Sequence, residues 1–139
     1  MKELLKNLLW QGSAREVEDL VKPEAMGAYA RHGWRGVLTV TKEDRPRIVA
    51  SLAQLCIPTE ELVPTPFTHF TLACRFAEIF HPLVVHCHAG ANRSRVFAAA
   101  ILHRVWKIRL ADAIQWADPP PGRVLDSLVL WASSPEDIG

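Results

Sequence analysis

Leu83-Val84-Val85-His86-Cys87-His88-Ala89-Gly90-Ala91-Asn92-Arg93-Ser94 is the stretch on which the fold turns. Leu83-Val84-Val85 is a short uncharged run of the kind that fills a buried strand of a parallel sheet. From Arg93 to Trp106 the chain reads as a helical stretch. Between them lies a loop of small residues, Ala89-Gly90-Ala91, flanked by a cysteine and an arginine. The reading is a buried strand, a tight loop and a helix start.

Outward from this segment, strands and helices alternate. Leu8-Leu9-Trp10 reads as a strand closed by a turn at Gln11-Gly12-Ser13. Ser13 is placed to cap a short helix from Ala14 to Val21, with Glu16 as the capping-box partner. Pro23 suits the first turn of a helix to about His32, ended by Gly33. Val37 to Val40 is a β-branched strand run, and Thr41 opens an amphipathic stretch through Leu52. Leu55-Cys56-Ile57 is a third candidate strand, followed by a proline-rich loop from Pro58 to Pro66. Phe67 to Phe80 has the spacing of a helix. Two more helices are expected at Leu110 to Trp116 and Val124 to Trp131, separated by Pro119-Pro120-Pro121-Gly122. The expected fold is a three-layer α/β/α domain with a mainly parallel sheet of four or five strands, and 1–139 as a single domain. Ligands of such sheets bind beyond the carboxyl ends of the strands, which directs attention to the loop after Val85.

The loop residues have a common chemistry. A helix N-terminus offers unpaired N–H groups and the positive end of the helix dipole. Small residues at 89, 90 and 91 let the backbone amides curl into an anion nest. Arg93 supplies a planar fork for two phosphate oxygens. The same field stabilises a thiolate on Cys87. The segment is built to bind a phosphate over a charged nucleophile. A metal site on His86, Cys87 and His88 is the competing reading, but adjacent residues on a tight loop rarely converge on one ion.

His86-Cys87-x-x-Gly90-x-x-Arg93-Ser94 resembles the signature of the cysteine-dependent protein tyrosine phosphatases, and the chain is most similar to their small dual-specificity branch. Leu8 to Ser13, Gly33 to Leu38 and Leu110 to Ile114 resemble that branch's first strand, second strand and C-terminal helices. The resemblance implies a phosphatase-like catalytic domain in which Cys87 attacks phosphorus and forms a cysteinyl phosphate. It implies that Arg93 and the amides of His88, Ala89, Gly90, Ala91, Asn92 and Arg93 bind the phosphoryl oxygens. Ser94 would hydrogen-bond the thiolate, and His86 would shape the loop. No metal or organic cofactor is implied. The family's general acid is an aspartate on a loop before the preceding helix. Here Ile57-Pro58-Thr59-Glu60-Glu61-Leu62-Val63-Pro64 contains none, so the candidates are Glu61 and Glu60, with Glu61 preferred. A glutamate offers the same chemistry one methylene further out, at about pKa 4.3 against about 3.9 for aspartate.

Composition narrows the remaining classes. The chain has 139 residues, 49% hydrophobic and 22% charged, enough for one domain with a core. Its net charge of +1 gives no general attraction to nucleic acid or anionic lipid. No apolar run approaches the ~18 residues of a membrane span, and Met1 to Asn7 does not read as a signal peptide. The three cysteines lack CxxC spacing, which disfavours a disulfide scaffold or zinc knuckle and fits a reducing, cytoplasmic setting. Cys56 and Cys74 read as core residues, with a reversible disulfide to Cys87 as a minority alternative. The five tryptophans read as core packing. The acid-free run from Arg93 to Arg109 reads as a solvated helix end.

The leading function is hydrolysis of a phosphorylated protein or peptide by a monomeric enzyme, with no specific nucleic acid and no membrane insertion. The alternatives are the same chemistry on a phosphoinositide or an RNA 5′ phosphate, a phosphate-binding pseudophosphatase, and an interaction domain that keeps the fold.

Overall fold

The computed structural model describes residues 1–13, 15–17, 33–41, 52–88 and 92–134. Its sheet contains β1 (Lys2–Leu5), β2 (Leu9–Ser13), β3 (Gly36–Thr39), β4 (Ala53–Cys56) and β5 (Leu83–Cys87), in the order β1-β2-β5-β3-β4. β5 pairs parallel with both β2 and β3, and β3 pairs parallel with β4. β1 joins β2 antiparallel as an edge. The mixed α/β architecture and the five-stranded, mainly parallel sheet agree with the sequence reading. β5 lies in the middle and is buried at every position, as its uncharged sequence requires.

Among the described residues, α1 (Phe67–Ile79) precedes β5, and α2 (Arg93–Arg104), α3 (Leu110–Ala117) and α4 (Arg123–Ser133) follow it. α2 is the hub. It packs on β5 and β2 and touches α1, α3 and α4. Its residues from Val96 to Leu102 are all buried, which explains why three of them are alanines: a helix enclosed on every side needs small residues where its neighbours come close. The ring of Phe70 on α1 lies 4.9 Å from Phe97 on α2 and 5.3 Å from Trp131 on α4, closing this core. Arg104 stacks 3.7 Å over the Trp131 ring, so one of the basic residues of the 93–109 run packs against an aromatic rather than standing free in water.

The opposite face of the sheet carries a smaller cluster of Trp10, Val17, Trp34, Val37 and Val84. Trp10 and Trp34 meet edge to face at 5.7 Å. The helix expected from Pro23 to His32 and most of the stretch expected from Thr41 to Leu52 lie outside the described residues, so the second helical layer does too. The capping box at the start of the short helix is formed: the Ser13 N–H donates to Glu16 Oε1 at 3.0 Å and the Glu16 N–H donates to Ser13 Oγ at 3.2 Å.

One local expectation is corrected. Gln11-Gly12-Ser13 is not a turn; it extends β2, pairing with Val85, His86 and Cys87. Turn-forming residues are overridden here because β5 runs alongside all three and pairs with their backbone. Lys2–Leu5, read only as a non-signal segment, is an edge strand. At Gly36 the backbone approaches α1 so closely that a Cβ would lie 2.8 Å from the Phe80 carbonyl oxygen. Glycine is required there by space, not by conformation.

Candidate active site

β5 ends at Cys87 and α2 begins at Arg93. The five intervening residues form the loop singled out by sequence. Ala89, Gly90 and Ala91 lie outside the described residues, and the expected nest of amides lies there with them. Cys87 is 1% exposed, and its thiol donates to Ser94 Oγ at 3.2 Å. Ser94 is buried on the first turn of α2. That first turn contains no acidic residue, so nothing on the helix itself offsets its positive end.

Arg93 is 6% exposed and bridges two segments. Its Nη1 donates to the Thr59 carbonyl at 2.8 Å, and its Nε lies 3.6 Å from Glu61 Oε1. Asn92 Nδ2 donates to the same Glu61 oxygen at 2.9 Å. The proline-rich loop is therefore held against the start of α2. It is fixed at one end by Arg93 holding Thr59 and at the other by the Thr65 N–H, which donates to Ser127 Oγ on α4 at 2.9 Å. Between these anchors Glu60, Glu61, Leu62 and Val63 are exposed.

The two candidate acids diverge. Glu61 is brought to Asn92 and Arg93. Glu60 lines a separate cavity of about 270 Å³ with Pro58, Thr59, Val63, Thr65 and His69. His69 Nδ1 is buried there without a hydrogen-bond partner among the described residues. Burial pushes the His69 pKa below its usual value. The unfolded chain thus takes up the proton first. The stability that follows is fully present above about pH 6.5 and is lost as the pH falls from there through the folded value. The melting temperature will accordingly fall on acidification below about pH 6.5, and His69→Leu will flatten that slope. An unchanged slope in the variant would assign the acid sensitivity to other groups.

His86 points away from Cys87, because neighbours on a strand face opposite sides. It is buried on the Trp10–Val84 face, with its Nε2 2.8 Å from Thr39 Oγ1. Gln54 Nε2 donates to that same hydroxyl at 3.4 Å. The pairing ties β5, β3 and β4 together just before the loop. It also separates His86 from any site shared with Cys87, and no cluster of metal-ligating side chains occurs among the described residues. His88 is exposed. No disulfide joins Cys56, Cys74 or Cys87; Cys74 is buried and its thiol donates to the Ala100 carbonyl at 3.6 Å.

Sequence reasoning missed Gln11, whose Nε2 donates to Ser94 Oγ at 2.9 Å. Its signal was a polar residue in a strand facing the helical layer, obscured by the turn-like residues after it. Beside the site runs a groove of about 290 Å³, whose lining includes Glu61, Leu62, Asn92, Val96, Pro121 and Arg123. No helix among the described residues is long and apolar enough to cross a membrane.

No family model and no curated protein matches the sequence. Solved structures do. DUSP15 superposes with a TM-score of 0.76 at 20% identity, over 96% of this chain and 88% of its own. Human DUSP28 gives 0.76 at 21% identity, over 94% of both chains. PTPMT1 in complex with PI(5)P gives 0.69 at 20% identity, over 94% of this chain and 92% of its own. The fold is that of the dual-specificity phosphatases.

Proposed function

We propose that this chain, with its dual-specificity phosphatase-like fold, is a cysteine-dependent phosphomonoester hydrolase acting on phosphorylated proteins or peptides. The observation that carries the reading is the grouping at one strand end: Cys87 Sγ lies against Ser94 Oγ, on the first turn of the helix that Arg93 begins. In the first step the Cys87 thiolate attacks phosphorus, the phosphorus–oxygen bond to the substrate breaks, and Glu61 protonates the leaving oxygen. Arg93 and the loop amides hold the three equatorial oxygens as charge develops. In the second step Glu61 takes a proton from water, the water oxygen attacks phosphorus, and the electron pair of the sulfur–phosphorus bond returns to Cys87. The adjoining groove takes residues that flank the phosphorylated one.

What supports Glu61 over Glu60 is its hydrogen bond from Asn92 and its approach to Arg93. Glu61→Gln will lower kcat on a phosphopeptide about 10²-fold, whereas Glu60→Gln will leave it near wild type. Equal effects of the two variants would sink the assignment. The activity itself is tested with a small aryl phosphate, followed by phosphopeptides, inositol phospholipids and 5′-phosphorylated RNA. Turnover that is vanadate-sensitive and highest on phosphopeptides is expected. Absence of any turnover by folded protein would overturn the reading in favour of a phosphate-binding module.

A further inference from the structure

Gln11 stands where a strand residue packed under α2 is expected to be apolar. β2 alternates, so Leu9 and Gln11 share the sheet face of Val85 and Cys87. Leu9, Val85 and Cys87 belong to the main core, and Gln11 itself is only 4% exposed. An amide buried in such a layer is unfavourable unless it is hydrogen-bonded. Its Nε2 donates to Ser94 Oγ at 2.9 Å, and the same oxygen lies 3.2 Å from Cys87 Sγ.

A hydroxyl has one proton and two lone pairs. The Gln11 amide donates into one lone pair. A thiolate only accepts, so it draws the Ser94 proton. The two donations then run in one direction, from Gln11 through Ser94 to sulfur, and each strengthens the other. When sulfur carries a proton, S–H and the Gln11 N–H both donate to the same oxygen and the reinforcement is lost. The arrangement therefore favours negative sulfur.

We propose that Gln11 is a positioning residue that aims the Ser94 hydroxyl at Cys87. Its kinetic consequence rests on the phosphatase reading above. It acts most when the sulfur–phosphorus bond breaks: water adds to phosphorus, its proton goes to Glu61, and the departing electron pair on sulfur is received by the Ser94 O–H.

The test is a double-mutant cycle with Gln11→Leu, Ser94→Ala and both together. Gln11→Leu is expected to lower kcat about tenfold with KM changed less than about twofold. A burst of aryl alcohol will show the phosphoenzyme accumulating. The double variant will be no slower than Ser94→Ala alone, because both remove one relay. Losses that multiply, or a Gln11→Leu kcat within about twofold of wild type, overturn the proposal. Gln11→Glu, the isosteric change that turns the Ser94 proton away from sulfur, gives an equal or larger loss and covers a Leu variant that fails to fold. If the wild-type chain shows no turnover, the phosphatase reading fails but the relay is still measured. The rate at which iodoacetamide alkylates Cys87 at fixed pH, with Cys87→Ser as the blank, will fall in Gln11→Leu and Ser94→Ala alike. An unchanged Gln11→Leu rate overturns it.

Discussion

Cys87→Ser will abolish hydrolysis of a small aryl phosphate, lowering turnover by at least about a thousandfold, while the melting temperature stays near wild type. The two expectations have separate origins. A serine hydroxyl is un-ionised at neutral pH and is a poor nucleophile without a base beside it. The described neighbour of Cys87 Sγ is Ser94 Oγ, which is a hydrogen-bond partner and not a base. Serine nonetheless fits the cysteine's space at the end of β5 and keeps a hydrogen bond to Ser94. Wild-type turnover will persist in EDTA. The comparison is made by aryl phosphate release and thermal melting on the same preparations. A Cys87→Ser rate within about tenfold of wild type would remove Cys87 from the reaction.

Arg93→Lys will lower kcat/KM by about 10²–10³-fold although the charge is kept. Lysine is a point charge on a flexible stem and cannot present two parallel N–H groups to a phosphate. It also gives up the fixed geometry of the bond from Nη1 to the Thr59 carbonyl, 2.8 Å long, which anchors the loop carrying Glu61. The loss therefore has two parts, weaker phosphate binding and a less ordered acid loop. Inhibition by inorganic phosphate reports the first, and proteolysis within 57–66 reports the second. A Lys variant with wild-type kcat/KM would show that Arg93 serves structure alone.

Much of this molecule was legible in one segment. Leu83 to Ser94 is contiguous, and its strand and helix start follow from local composition: three uncharged residues, small residues, then a helix with no acid in its first turn. β5, the start of α2 and the adjacency of Cys87 to Ser94 follow from chain geometry over a few residues. The two glutamates could not be ranked with the same ease. They are neighbours in sequence with the same chemistry, and which of them faces Asn92 depends on where the loop is held, at Thr59 by Arg93 and at Thr65 by Ser127. Those anchors come from α2 and α4, far along the chain.

Gln11 marks the same boundary. By itself the sequence determined an α/β chain with a cysteine and an arginine flanking a run of small residues, because strand burial and helix starts are local properties. The tertiary structure alone decided that Gln-Gly-Ser continues a strand and that its glutamine meets Ser94, 83 positions away. It also decided that Glu61 and Glu60 diverge. The physical reason is that a side chain's partner is set by packing between elements, whereas a strand or helix start is set by residues within a few positions of itself.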